Sequence, residues 1–513
     1  MKNLFLLHGS AFVRFSILGL LAAILLGIPY DLNITLEPFF FVIAALILGL
    51  GFTFMWRSSY RETKKKHYLH FLSYLSGRLN MSISLERALY ESVEPLAKEL
   101  GQHQLLIRAL KSLRSNLDAQ MALEDVLQLF ADKLNLSVCT EDMRLLTLMA
   151  QAGGKVEDFI KQRHRSLSTQ MSIQADVATE YKGKSTEAIM LSGMPFMMAF
   201  FFLRRNVQAS DANTSVVGRG FLYVAAIFAI FLVMQIVSWR EPTPTVKKVK
   251  KKKKSRKIIS KPQKAKPTRW TDFMTRLYLN VLPGNLGIHL SEAMANISPD
   301  GETSWTQYFH EKKNYLVLGL FFLLFFYFVI DLSFSIGILL ALLPWVSHDL
   351  VLLAKAKDIR TNYRYYAPST ISTLEILLSS QLTLERSLQI LGRHSAPQAS
   401  ENQALQRDIR QAVQLLDKGY SGSDAVLFLA ERCPLPEIQS ALQLMARSSQ
   451  QGGQELLELL HLQTQHIWQL FRHTQRSMME HRMMRLIIPM AVDLFVIIAT
   501  VAMPFISEFN SAL

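Results

Sequence analysis

An all-α multipass membrane protein with two cytoplasmic antiparallel helical bundles, related by tandem duplication, is the fold class this 513-residue chain predicts. Three features point there. Short motifs recur at one fixed offset, membrane-length apolar stretches flank the recurring regions, and no alternating β pattern lasts long enough to compete.

The offset is 299 residues. Leu85-Glu86-Arg87-Ala88-Leu89 returns as Leu384-Glu385-Arg386-Ser387-Leu388, and Gln151-Ala152-Gly153-Gly154 returns as Gln450-Gln451-Gly452-Gly453. The same spacing pairs Leu117-Asp118 with Leu416-Asp417, Asp125 with Asp424, and Ala131 with Ala430. Within each copy the apolar periodicity is helical. Leu85, Leu89, Val93, Leu96 and Leu100 recur at three- and four-residue steps, as do Leu384, Leu388 and Leu391. Ser84 and Thr383 precede these runs as N-cap candidates. Cys139, Met143 and Leu146, with counterparts Ile438, Leu442 and Met445, predict the same buried stripe in both copies. Gly153-Gly154 and Gly452-Gly453 are the expected end of that helix, because glycine enters the left-handed conformation freely. Each copy reads as about six helices, the last leading into the membrane.

Seven apolar stretches of roughly 17 to 22 residues have the length of a bilayer-crossing helix. They are Phe12–Gly27, Pro38–Trp56, Ala188–Leu203, Phe221–Trp239, Tyr315–Ile330, Phe334–Leu353 and Leu486–Ile506; the third contains Pro195. The first could pass for a secretory signal, but no small-residue cleavage site follows Leu26 and a second span begins soon after, which favours an uncleaved hairpin. Basic residues mark cytoplasmic loops. Arg57, Arg61 and Lys64–Lys66 follow the second span, and Lys355, Lys357 and Arg360 follow the sixth. The N-terminus and both copies are therefore expected inside, and the end near Glu508 outside; Arg204-Arg205 is the exception to the charge pattern.

The resulting order is a transmembrane hairpin (1–60), a first helical domain (61–187), a transmembrane pair (188–240), a basic linker (241–270) and a connector (271–314). A second hairpin (315–354), a second helical domain (355–484) and a final span (485–513) follow. The net charge of +15 belongs to the linker, since Lys247–Arg269 holds thirteen Lys/Arg and no acid, and removing it leaves +2. That location excludes a nucleic-acid reader, which carries basic patches on folded surfaces. A run of this kind is solvated and touches anionic lipid beside a membrane helix. Cys139 and Cys433, the only cysteines, show no C-x-x-C spacing and fit a reducing compartment.

Polar bundles with S/T-L-E-x-A/S-L near the start, a glycine turn about seventy residues later and a following span resemble the type II secretion system F domain. The stretch from Leu374 to Pro489, with Ala430-Glu431-Arg432-Cys433-Pro434-Leu435-Pro436 at its middle, is most similar to Tad/Flp-type pilus platform proteins. The first copy, about His67 to Pro195, diverges, with Asn135 in place of Pro434. The two halves look like a fusion of the two Tad platform subunits. The resemblance implies a non-enzymatic platform in the bacterial inner membrane. It also implies a cytoplasmic assembly ATPase, pilin or pseudopilin subunits and other membrane platform components as partners, homo-oligomerisation, and no cofactor.

The remaining motifs are weak. Lys182-Gly183-Lys184-Ser185 ends like a phosphate loop but has Ala178 where the first glycine belongs. His461, His466, His473 and His481 lack the i, i+4 spacing of a helical metal pair. Glu86, Asp125, Glu385 and Asp424 match across copies and suit either partner contact or the dipole of a first helical turn. Asp493 lies between Pro489 and Pro504 in the last span, where a carboxylate is costly. It reads as an interhelical hydrogen-bonding group or, in a competing reading, as part of a secondary transporter with duplicated halves. A membrane-bound enzyme comes third, with no supporting constellation.

Overall fold

A computed structural model describes residues 2–32, 37–204, 216–238, 286–297, 334–394, 404–451 and 454–512, with scattered positions from 308 to 321. The basic linker, the turn signals at Pro283-Gly284 and Pro299-Asp300-Gly301, most of the expected span Tyr315–Ile330, and Gly452-Gly453 lie outside the described residues. Among the described residues there is no strand. The chain is an all-α protein, and among the described residues five helical segments are long and apolar enough to cross a membrane.

The first half runs α1 (Lys2–Gly27), α2 (Pro38–Leu79), α3 (Leu85–Glu91), α4 (Val93–Leu100), α5 (Leu105–Asp118), α6 (Leu123–Leu134), α7 (Ser137–Gln151), α8 (Val156–Leu191), α9 (Met194–Ala199) and α10 (Val216–Ser238). After α11 (Leu286–Ile297) the second half runs α12 (Phe334–Ser379), α13 (Leu384–His394), α14 (Ala404–Asp417), α15 (Gly422–Arg432), α16 (Pro436–Gln451), α17 (Gln454–Met483) and α18 (Ile487–Ala512). Helices α5 and α14 start and end 299 residues apart, as α3 and α13, α6 and α15, and α7 and α16 do at or within one residue of their starts. The turns agree as well. Gln120 and Gly419 are both left-handed, and the next N–H in each case reaches back five residues, Met121 to Asn116 and Tyr420 to Leu415. This bond closes a Schellman turn.

Local chemistry adjusts the expected elements. The run from Leu85 to Leu100 forms two helices, because Pro95 has no N–H for Glu91 and is tolerated only in the first turn of a restarted helix. The restart is held by Ser92, whose hydroxyl donates to Leu89 O at 2.6 Å. Thr383 Oγ1 accepts from Arg386 N–H at 3.3 Å, as an N-cap should, whereas Ser84 occupies the same place without a side-chain cap bond. Gly153 is left-handed at the end of α7, and Gly154 N–H bonds Met149 O at 3.1 Å. Likewise Pro195 sits in the first turn of α9, so the third apolar stretch stays helical around it and continues as a π-helical turn, Phe200–Arg204. The expected span Phe334–Leu353 is the first part of α12.

Contacts divide the chain into two units. One comprises Met1–Thr147, Ile160–Pro242 and Arg472–Leu513; the other comprises Leu148–Phe159 and Thr243–Phe471. In the first, α1, the apolar part of α2, α9, α10 and α18 pack into an apolar bundle around Tyr30, Phe41, Phe196, Tyr223 and Val496. Helices α1 and α2 approach closely because Gly19 faces Gly49: a Cβ on Gly19 would lie 2.6 Å from Ala45 O. Small residues permit this backbone contact in a membrane, where packing replaces the hydrophobic effect. The same unit holds the first helical bundle, in which Cys139, Met143 and Leu146 are buried and Phe71 meets Phe130. In the second unit the counterparts Ile438, Leu442 and Met445 belong to one core with Leu384, Leu388, Ile409, Val426 and Leu460.

Candidate functional site

The repeat-matched acids fall into two kinds of surroundings. Glu385 Oε1 accepts the Gly422 backbone N–H at 2.9 Å, so it caps the first turn of α15 from a neighbouring helix. Ser421 caps the same turn and pairs with Asp424: the Asp424 N–H donates to Ser421 Oγ at 3.1 Å, and that hydroxyl donates to Asp424 Oδ2 at 2.7 Å. At the positions 299 residues earlier, Glu86 and Asp125 occupy the first turns of α3 and α6 but are exposed. The glycine turn has a packing role, since a Cβ on Gly154 would meet Met149 Cγ at 2.7 Å and Leu382 at 3.4 Å. Beside it Lys155 N–H donates to Ser380 O at 3.2 Å.

Each bundle also encloses an acid that the sequence reading did not single out. Asp142 on α7 accepts from Arg163 Nε of α8 at 2.6 Å and from the Tyr68 hydroxyl of α2 at 3.0 Å, with all three side chains buried. Burial pushes the Asp142 carboxyl up, and Arg163 opposes that shift. In the second bundle Asp408 on α14 accepts from the Tyr363 hydroxyl of α12, and Arg432 Nε at the end of α15 lies 3.4 Å away. The two constellations share chemistry without sharing positions: Tyr363 corresponds to Lys64, which donates instead to Leu134 O at 3.2 Å. The available signal was an acid inside an apolar stripe, Asp142 between Cys139 and Leu146 and Asp408 between Leu405 and Ile409. A buried ion pair costs desolvation and returns it only with good geometry, so these groups pin helix register more than they add stability.

Helices α8 and α17 run side by side in the same direction. Arg472 Nη2 lies 3.1 Å from Asp176, Arg476 holds Glu180 with two nitrogens at 3.1 and 2.8 Å, and the Tyr181 hydroxyl donates to Glu480 at 3.0 Å. Val177, Tyr181 and Met479 are buried together, with Met483 against them. Lys182-Gly183-Lys184-Ser185 is a continuous part of α8, so it has none of the looped backbone that cradles a phosphate. Of the four histidines, His461 Nδ1 lies 2.8 Å from Glu375.

Asp493 is the outlying group. It is 4 % exposed on α18, and among the described residues neither of its oxygens has a hydrogen-bond partner. The interhelical hydrogen bond expected of it is not made among the described residues. The position 299 residues earlier is Met194, so the first half offers no matching carboxylate.

Part of the second half is similar to a known domain. Residues 370–504 match the family model for Type II secretion system (T2SS), protein F. The match takes in most of the second bundle, from within α12 onward, and most of α18. No curated protein and no solved structure matches the chain.

Proposed function

We propose that this chain is a platform protein of the bacterial inner membrane that serves assembly of a Tad/Flp-like pilus or a type II secretion pseudopilus. The T2SS protein F match over 370–504 carries the reading. Such a platform couples a cytoplasmic assembly ATPase to extraction and polymerisation of pilin-like subunits, and performs no catalysis itself. The two bundles are a tandem duplication in this proposal, supported by the 299-residue spacing of helix starts and of the Gln120 and Gly419 turns. Both bundles face the cytoplasm, as the basic loops require. The domain limits drawn from the sequence stand with it, including an anionic-lipid contact at Lys247–Arg269 and a homo-oligomeric assembly. Glu86 and Asp125 are the repeat acids open to a partner, because Glu385 and Asp424 are engaged in caps.

Deletion of the gene should abolish surface filaments or secretion, and a tagged chain should co-purify with a hexameric secretion ATPase. Normal filaments and normal secretion in the deletion strain would sink the proposal. Cysteine labelling at Gln102 and Gln403 tests the topology, and periplasmic labelling at either overturns it. The competing transporter rests on Asp493, buried in the apolar bundle with no hydrogen-bond partner among the described residues. Solute flux in proteoliposomes that is lost in Asp493→Asn would favour it.

A further inference from the structure

The contact between α8 and α17 has a chemical polarity. Both acids, Asp176 and Glu180, come from the first half, and both arginines, Arg472 and Arg476, come from the second. Residue numbers rise together along the pair, from Asp176–Arg472 through Glu180–Arg476 and Tyr181–Glu480 to Ser185–Met483. The two helices are thus parallel and close to the 299-residue register throughout. Resting on the duplication proposed above, each stalk has a second conceivable partner: the identical stalk of another copy of the chain.

The same geometry can be followed with identical helices. Two α8 helices would place Asp176 against Ile173 and Glu180 against Val177, leaving both carboxylates over apolar side chains. Two α17 helices would place Arg472 against Gln475, Arg476 against Met479 and Glu480 against its own copy. Neither arrangement keeps an ion pair, and the second adds a like-charge contact. Exposed pairs contribute little attraction, and these side chains are about half exposed, so adhesion comes from the Val177, Tyr181, Met479 and Met483 contact. Selectivity needs only a difference between partners, and removing every charge match from the wrong pairing supplies one.

We propose that α8 and α17 form a charge-coded recognition surface, by which the stalk of the first half selects the stalk of the second within one chain and rejects its own copy in another. The partner that fits α8 is a parallel amphipathic helix with arginines at the positions of Arg472 and Arg476 and an apolar stripe through Met479 and Met483. The surface acts as a built-in pairing code between two subunit-like halves.

The test uses the full chain in native membranes, with Ser185→Cys and Met483→Cys and a short bifunctional maleimide. Ser185 Oγ lies 3.9 Å from Met483 Sδ, and both native cysteines are buried. Linked peptides are quantified by mass spectrometry, and co-expression of the two single-cysteine variants, in which a 185–483 link can form only between chains, separates links within a chain from links between chains. The expected product is the 185–483 link within one chain. Glu180→Arg or Arg476→Glu alone should lower its yield by roughly threefold, and the two together should restore it to within about twofold. Yields unmoved by either single reversal, no restoration in the double variant, or equally abundant 185–185 and 483–483 links between chains would each overturn the proposal. The assay reads pairing and not filament assembly, so a failed platform reading leaves its outcome intact.

Discussion

Glu385 and Gly422 are joined at 2.9 Å by a bond from the glycine N–H to the Glu385 carboxylate, tying the start of α13 to the start of α15. The glycine is required there, because a Cβ would stand 2.5 Å from the same oxygen. Glu385→Ala should therefore cost about 1–2 kcal/mol, since it orphans a partly buried donor at a helix N-terminus. Glu385→Gln, which keeps an acceptor, should cost less than about 1 kcal/mol. Glu86→Ala in the exposed equivalent should change stability by no more than about 0.5 kcal/mol. Thermal unfolding of the three variants in detergent checks the order, and an equal loss for Glu86→Ala and Glu385→Ala would contradict it.

Arg163→Met should destabilise the first bundle by about 3–5 kcal/mol, because Asp142 is then left buried beside Tyr68 without its cation. The double variant Asp142→Leu, Arg163→Met should recover most of that loss, leaving roughly 1 kcal/mol for the orphaned Tyr68 hydroxyl. A double-mutant cycle measures the coupling. Additive losses would show that the pair is not one unit.

Asp493→Asn should preserve insertion and folding, and Asp493→Leu should raise thermal stability by about 1–3 kcal/mol, because a buried carboxyl with no hydrogen bond is replaced by an apolar group. If Asn abolishes filament assembly in an inserted, stable chain, the acid has a role in function beyond packing.

Cys139 and Cys433 should resist maleimide at pH 8 in the native protein and react once it is unfolded. Burial pushes the Cys433 thiol up to about 12 and the Cys139 thiol well above its ordinary value, so the reactive thiolate is scarce in both. Peptide mapping before and after denaturation checks this, and rapid native labelling at either site would show that its core opens.

Periodicity and punctuation are local, and the sequence by itself determined what depends on them. These include the helical class, the stretches of spanning length, the left-handed Gly153 and the paired stripes of Cys139 and Ile438. Each follows from which residues a helix buries and where a backbone turns, and neither requires knowledge of a distant neighbour. Pro95 was a legible break as well, and one apolar run becomes two helices there. Which side chains meet, by contrast, was set by packing between distant helices. Glu86 and Glu385 stand in the same motif, yet one is solvated and the other caps a helix that begins 37 residues later, because packing brings the Gly422 N–H to Glu385. Asp142 and Asp408 each look like a flaw in an apolar stripe until Arg163 and Arg432 arrive from other helices. Asp493 found no such partner among the described residues. A charge's cost is set by desolvation, which sequence indicates, but its compensation is set by geometry, which packing alone supplies.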